Sequence, residues 1–374
     1  MISVLKNIPY ILVIIIVFYN CSNYNDEENV TEVNEYEIVN YISEEFISTD
    51  YTFNQEGLNK PIGIRFNHIS NEFVILDGGN ICLYFFSKDG KFLRKVGNVG
   101  QGPGDFLKPK FFEIDKDGDI YVYDEKNRNI SIFTFKGKFI NSFRLNNYLE
   151  YKFFVTEDKN IVVNIPERGY YFTVLSRDGS VLKEIGIIKN LSKYNYINFD
   201  LAKGIPILDE YGNFYIFLNT TLSVIIYNKN GDFINEIKLG KLMNISNFID
   251  YSISPENLKI TVYPDGRRSY DILQIHLFYD VLRKDNKIYI LSPFFQMPGK
   301  RYRNLGLFIL DLENELKINN VLNLVDDLDS DFSKYKTLSY NNIFELLLIY
   351  NYDIYLPYVN PRNASIIRFY KVVK

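Results

Sequence analysis

The sequence predicts an all-β fold, a six-bladed β-propeller with four antiparallel strands per blade and a ring closed by an N-terminal strand. Three observations carry this expectation. The chain holds 31 Tyr and 30 Phe but no Trp, and 47% of it is hydrophobic. Aromatic side chains fit pleated, half-buried surfaces, so this composition favours strands. A strand–turn–strand pattern punctuated by Gly90, Gly137, Gly179 and Gly231 recurs roughly every 40–50 residues, the period of a propeller blade. Finally, the last copy stops after its third strand, and a ring of sheets must close on itself.

The elements follow in order. The first copy runs Glu72–Asp77, Ile81–Phe86 and Lys88–Leu93. The second, and clearest, is Asp115–Asp124, then Ile130–Phe135, then Lys136-Gly137-Lys138-Phe139-Ile140. A third runs Asn160–Val163, Tyr170–Leu175 and Arg177-Asp178-Gly179, and a fourth Gly212–Phe217, Ser223–Tyr227 and Lys229–Ile234. Two looser copies follow, Asn286–Leu291 with Leu305–Leu310, and Asp353–Leu356 with Ser365–Tyr370. Asx and Gly at the turns supply the positive φ that tight hairpins need. The missing outer strand of the last blade is expected from Glu35–Ile42 or from Phe46–Phe53.

The N-terminus reads as an address. Lys6 precedes a wholly apolar run, Ile11 to Phe18, which ends at Tyr19-Asn20-Cys21. That run is too short for a membrane span of ~20 residues and has the length of a signal-peptide core. Residues 1–20 resemble a bacterial lipoprotein signal with Cys21 as the lipidated residue, although Tyr19 and Asn20 stand where such signals carry small residues. Residues 21–35 form a polar, acidic tether, Ser22 to Asn29 being unable to bury much surface. Residues 36–374 are then one propeller domain.

The segment Gly100-Gln101-Gly102-Pro103-Gly104-Asp105-Phe106 matches a Gly-x-Gly-Pro-Gly-acidic-aromatic loop that joins an outer strand to the next inner strand. With it the chain resembles the six-bladed, NHL-like β-propeller lipoproteins of Bacteroidetes and related bacteria. The resemblance implies a lipid-anchored place in the cell envelope, most simply at the outer membrane, and no particular activity.

Several chemistries are disfavoured. With 42 basic and 46 acidic residues there is no footprint for nucleic acid. The two histidines, His68 and His276, are too few for a three-histidine metal site. Gly100–Gly104 lacks the Lys-Ser/Thr of a phosphate-binding loop. Asp115, Asp117 and Asp119 begin like a calcium loop, but Ile120 and Lys126 stand where Gly and Glu are required. Cys82 reads as a small buried hydrophobe. No cofactor is expected. A calcium- or carboxylate-dependent hydrolase or lyase at the central channel stands as the alternative to a monomeric binding module for a glycan, peptide or protein. Long loops kept in a compact domain are usually functional, and here they fall on one face. Two of them are basic and aromatic and flank the fifth blade, which makes Arg267, Arg268, Tyr270, Arg301, Tyr302 and Arg303 the candidate ligand residues.

Overall fold

A computed structural model describes residues 30–32, 38–39, 48–52, 57–189, 198–219, 221, 223–239, 259–262, 268–271, 278, 280–294, 304–312, 317–323, 348–350, 353–359 and 366–372. The N-terminal segment holds β1 (Val30–Glu32), β2 (Ile38–Val39) and β3 (Ser48–Thr52). Blade 1 follows as β4 (Pro61–Asn67), β5 (Glu72–Asp77), β6 (Cys82–Ser87) and β7 (Phe92–Val96). Blade 2 is β8 (Pro109–Ile114), β9 (Ile120–Asp124), β10 (Asn129–Phe133) and β11 (Phe139–Arg144). Blade 3 is β12 (Phe154–Val155), β13 (Ile161–Val163), β14 (Tyr170–Leu175) and β15 (Val181–Ile187). Blade 4 is β16 (Gly204–Leu208), β17 (Phe214–Leu218), β18 (Ser223–Tyr227) and β19 (Phe233–Lys238). A hairpin of β20 (Lys259–Val262) and β21 (Arg268–Asp271) precedes blade 5, which is β22 (Asp280–Lys284), β23 (Lys287–Phe294), β24 (Asn304–Asp311) and β25 (Lys317–Asn323). Blade 6 contributes β26 (Leu348–Tyr350), β27 (Asp353–Val359) and β28 (Ile366–Val372).

The ring closes through the N-terminal segment. β3 pairs antiparallel with β28, Thr52 opposite Ile366 and Ser48 opposite Tyr370, and so completes blade 6. The closing strand is therefore the Phe46–Phe53 candidate. The other candidate, Glu35–Ile42, supplies β2, which adds parallel to the outer strand of blade 5, Ile38 opposite Val321. β1 does the same on blade 4, Val30 opposite Glu236 and Glu32 opposite Lys238. The stretch read as a tether thus contains a strand hydrogen-bonded to the ring.

The first strands of neighbouring blades lie side by side, β26 with β4, β4 with β8, β8 with β12 and β16 with β22. They line the axis, and the fourth strands form the rim. The cores sit between blades because each strand alternates its side chains between two neighbours. In β9, Ile120 and Val122 pack with Val74, Leu76 and Phe85 of blade 1, while Tyr121 and Tyr123 pack with Ile161 and Val163 of blade 3. A further core joins Ile205, Phe217 and Val224 of blade 4 to Val281, Ile288 and Ile290 of blade 5. Burying each such side chain contributes about 1.5–3 kcal/mol.

One turn recurs between third and fourth strands. Gly137 donates its N–H to the Thr134 carbonyl at 2.7 Å, Thr134 donates to the Lys138 carbonyl at 2.8 Å, and a bulge follows at Ile132/Phe133. The same bonds join Ser87, Gly90 and Lys91, then Ser176, Gly179 and Ser180, then Asn228, Gly231 and Asp232. Gly137 is needed twice over, because its φ is +84° and a Cβ there would lie 2.4 Å from Val96 of the preceding blade.

Because strands alternate in direction, the first-to-second and third-to-fourth turns share one face, here the lower. Interblade segments and second-to-third loops share the other, the upper.

Candidate functional site

The upper face is assembled by buried polar side chains at the ends of second strands. Asp77, fully buried, accepts N–H bonds from Asn59 at 2.7 Å, Lys60 at 3.0 Å, and Gly79 and Asn80 at 2.9 Å. Asp124 does the same for Leu107 at 2.5 Å, Lys108 at 3.2 Å and Asn127 at 2.9 Å. Asn164 and Asn219 take over at the next two blades. Asn164 accepts from the Gly204 N–H at 3.0 Å and donates to the Ala202 carbonyl at 3.2 Å. Asn219 accepts from the Phe278 N–H at 2.7 Å and donates to its carbonyl at 3.0 Å. Each clamp satisfies backbone groups that would otherwise be buried without partners and fixes the chain as it enters a first strand.

The segment between blades 2 and 3, residues 145–153, lies across the channel mouth. Leu149 is held by blade 2: its N–H donates to the Tyr123 hydroxyl at 2.9 Å, and its carbonyl accepts from Lys110 Nζ at 3.3 Å. Glu150 meets Lys203, at the entry to blade 4, at 2.6 Å. Tyr151 packs on the core between blades 4 and 5 and hydrogen-bonds Asn219, and its burial pushes the phenol well up. Lys152 then reaches Asp280, the first residue of blade 5, at 2.5 Å, with side-chain exposures of 10% and 1%. Four successive residues therefore touch blades 2, 4 and 5 before the chain enters blade 3.

Among the described residues, Lys203, Glu125 and Arg65 pair across the mouth and channel. Lys203 also meets Asp200 at 2.8 Å. Burial alone would lower the Lys203 ammonium, but Glu150 and Asp200 outweigh it and raise the group above its ordinary value. Glu125 accepts from Lys110 at 3.0 Å and from Lys108. Burial would raise the Glu125 carboxyl, yet the two lysines hold it below the usual range. Deeper in the channel, Arg65 of β4 meets Glu113 of β8 at 3.1 Å.

The lower face carries the aspartates that begin like a calcium loop. Asp115 Oδ1 accepts from Asp117 N at 3.0 Å and Asp119 N at 2.9 Å, and its Oδ2 accepts from the Tyr121 hydroxyl at 3.1 Å. Lys159 of blade 3 lies 2.8 Å from Asp117 and 3.3 Å from Asp119, and Arg177 lies 2.6 Å from Asp119. A hydrogen bond from Lys159 holds the Asp117 carboxyl below its ordinary value. These carboxylates serve a hairpin and an interblade ion network. Among the described residues no cluster of His, Cys, Asp and Glu could hold a metal ion.

The Gly-rich loop is an interblade turn between β7 and β8. Gly100 N–H donates to the Phe106 carbonyl at 2.9 Å, and Phe106 N–H donates to the Asn98 carbonyl at 2.8 Å. Phe106 is fully buried, with its ring 5.8 Å from that of Phe133. Gly97, at φ +94°, lets that ring pass, since a Cβ there would sit 2.4 Å from it. The loop closes on itself, with Asp105 N–H donating to the Gly102 carbonyl at 3.0 Å and the Asp105 side chain lying against Gly100 and Gly102, which sets a carboxylate where a phosphate nest would need its anion.

Of the six candidate ligand residues, Arg268 and Tyr270 fall on β21, opposite Val262 and Ile260. Arg267, Arg301, Tyr302 and Arg303 lie outside the described residues, as does Cys21. The structure extends β23 to Phe294 and starts β24 at Asn304, so the 293–304 segment is partly hairpin strand. His68 is exposed, edge-on to Phe66 at 5.0 Å, and Cys82 is buried in the core of blade 1. The segment 145–153 was missed because it carries no motif. Its one signal is positional: Glu150, Lys152 and Lys203 stand just before first strands, where a repeat alignment places the channel mouth.

Residues 19–198 match a sequence family described as a 6-bladed beta-propeller. No curated protein matches the chain. Among solved structures, a Bacteroides fragilis protein described as exported superposes with a TM-score of 0.56 at 16% identity, covering 92% of this chain and 100% of its own. A member of the duf4221 family from Bacteroides vulgatus gives a TM-score of 0.49 at 10% identity, covering 87% of this chain and 97% of its own. Virginiamycin B lyase from Staphylococcus aureus gives 0.47 at 14% identity, covering 88% and 100%. At these identities the likeness concerns the fold, and it does not carry the lyase activity to this chain. No described helix is long and apolar enough to cross a membrane. Sheet order and family match agree on a six-bladed β-propeller, and the superposition makes it similar in fold to a protein described as exported.

Proposed function

We propose that the chain is a lipoprotein of the bacterial cell envelope, anchored through Cys21, whose monomeric propeller binds a glycan, peptide or protein on its upper face. The observation that carries this reading is the channel mouth. Glu125, Glu150, Asp200 and Asp280 are each engaged by a lysine. A carboxylate already neutralised in this way makes a poor ligand for a dication, so the mouth favours recognition over calcium-dependent hydrolysis or elimination. The bridging segment 145–153 makes the mouth a shaped surface with polar groups, as recognition sites require. Arg267, Arg268, Tyr270, Arg301, Tyr302 and Arg303 enter this reading as the proposed ligand residues over the fifth blade, because forked donors and aromatic faces suit anionic or saccharide groups.

Glycan and peptide arrays test the reading. A binder found with the wild-type chain should lose at least about tenfold in affinity, ~1.4 kcal/mol, in Arg268→Ala with Tyr270→Ala or in Arg301→Ala with Arg303→Ala. It should be unaffected by Lys91→Ala with Lys138→Ala in the lower turns. Loss through the lower turns instead would overturn the face assignment. Calcium should leave the melting temperature unchanged, and a calcium-dependent rise would favour the enzymatic alternative. Cys21→Ser should abolish incorporation of labelled fatty acid.

A further inference from the structure

The rim carries an exposed apolar residue at the same place on four blades, the second position of the fourth strand. These are Leu93 (42% exposed), Ile140 (41%), Leu182 (55%) and Ile234 (42%). On blades 3 and 4 the position before it is exposed and apolar too, as Val181 and Phe233, whereas Phe92 and Phe139 on blades 1 and 2 are partly covered. Lys183 Nζ donates to the Lys229 carbonyl at 2.9 Å, which ties the outer strand of blade 3 to the last turn of blade 4. Val181, Leu182, Phe233 and Ile234 thus stand as an exposed apolar pair on each of two adjacent blades at the lower corner of the rim, where blades 1 and 2 expose one such residue each. An apolar patch of this kind calls for a partner.

The backbone says which partner. β1 runs parallel to β19, with Val30 opposite Glu236. The chain therefore arrives at β1 from the end of β19 where Phe233 and Ile234 begin, which is the end that carries the patch. Cys21 precedes Val30 by nine residues. Nine residues span at most about 30 Å, short beside a body with a radius of gyration of about 20 Å. An anchor so near one corner of the rim cannot leave all faces of the ring equivalent towards the membrane.

We propose that Val181, Leu182, Phe233 and Ile234 rest on the lipid surface beside the anchor, so that the lower corner of blades 3 and 4 faces the membrane and the upper face points away from it. The proposal rests on the anchor assigned above to Cys21. Its consequence is that the channel mouth is presented outwards to ligands, while the lower turns of blades 3 and 4 are shielded.

The chain contains no tryptophan, so a single introduced one is a clean reporter. Leu182→Trp, Ile234→Trp, Leu93→Trp and Ile140→Trp place it at equivalent rim positions. The full chains are isolated from the envelope, reconstituted into vesicles containing brominated phosphatidylcholine, and compared by tryptophan quenching. Quenching at least about twofold stronger at positions 182 and 234 than at 93 and 140 is the expected result. Equal quenching at all four positions, or none at any while the protein floats with the vesicles, overturns the proposal. Mass spectrometry of the N-terminal peptide reports separately whether Cys21 is acylated. If it is not, the anchor reading fails by itself, and the same chains from Cys21 onward, coupled through that thiol to a maleimide lipid, still decide the orientation by the same comparison.

Discussion

Lys152 and Asp280 are 128 residues apart in sequence and nearly buried where they meet. Removing one partner of such a pair strands a charge and costs about 3–5 kcal/mol, whereas replacing both by apolar groups is often neutral. Lys152→Met should therefore lower the urea midpoint sharply, and Lys152→Met with Asp280→Leu should recover most of the loss. An unchanged midpoint in the single variant would show that the segment 145–153 is not fastened across the mouth. Gly97→Ala should cost at least about 2 kcal/mol, because it adds backbone strain to a contact with the Phe106 ring. At this scale the sequence spoke unevenly. The turn glycines and the short apolar strands between polar turns were legible because they are local and periodic. The partners of Lys152 and Lys159 were not, since an ion pair between blades leaves no trace in the spacing of either residue.

At the scale of elements, each blade is legible as a unit, and the exceptions have reasons. β12 has only two residues, because the chain before it is drawn across the channel mouth. β1 carries no signal because a strand of three residues shows no alternation, and Glu35–Ile42 was expected at blade 6 although its β2 pairs on blade 5, because the parallel pairings to β19 and β25 depend on partners some 200 residues or more away. β3 was one of two candidates for closing the ring, and only the register with β28 decides between them. Deleting residues 48–52 should leave the β28 edge open, with unpaired backbone groups that invite aggregation. The expected outcome is a clear fall in melting temperature and multimers in size-exclusion chromatography. A deletion variant that stays monomeric and equally stable would refute closure by β3.

The whole molecule should respond to alkaline pH through its tyrosines. Burial pushes Tyr123 and Tyr227 up to about 12 and raises Tyr84, Tyr121, Tyr171 and Tyr215 further. A phenol whose folded value lies above its ordinary value of about 10 contributes stability that is fully present below that pH. The contribution is lost as pH rises through the folded value. The propeller should hold to about pH 10 and then unfold cooperatively towards about pH 12, with tyrosinate absorbance tracking the loss of circular dichroism. Early tyrosinate signal with the fold intact would mean that the interblade tyrosines are more accessible than their packing indicates.

Closure by β3 also bears on when the protein can fold. The strand that completes blade 6 is among the first parts of the chain to be made, while its neighbour β28 is among the last. The contact between Thr49 and Phe369 closes a loop of nearly the whole chain, and such long-range pairings are slow to form. Blades 1 to 5 can grow in sequence order as each neighbour arrives, but the ring itself cannot lock until the final residues are available. Under the export proposed above, a chain built this way would enter its passage extended from the N-terminus and reach its locked form only after the C-terminus has crossed. Closure of the ring ahead of the C-terminus is thus excluded by topology.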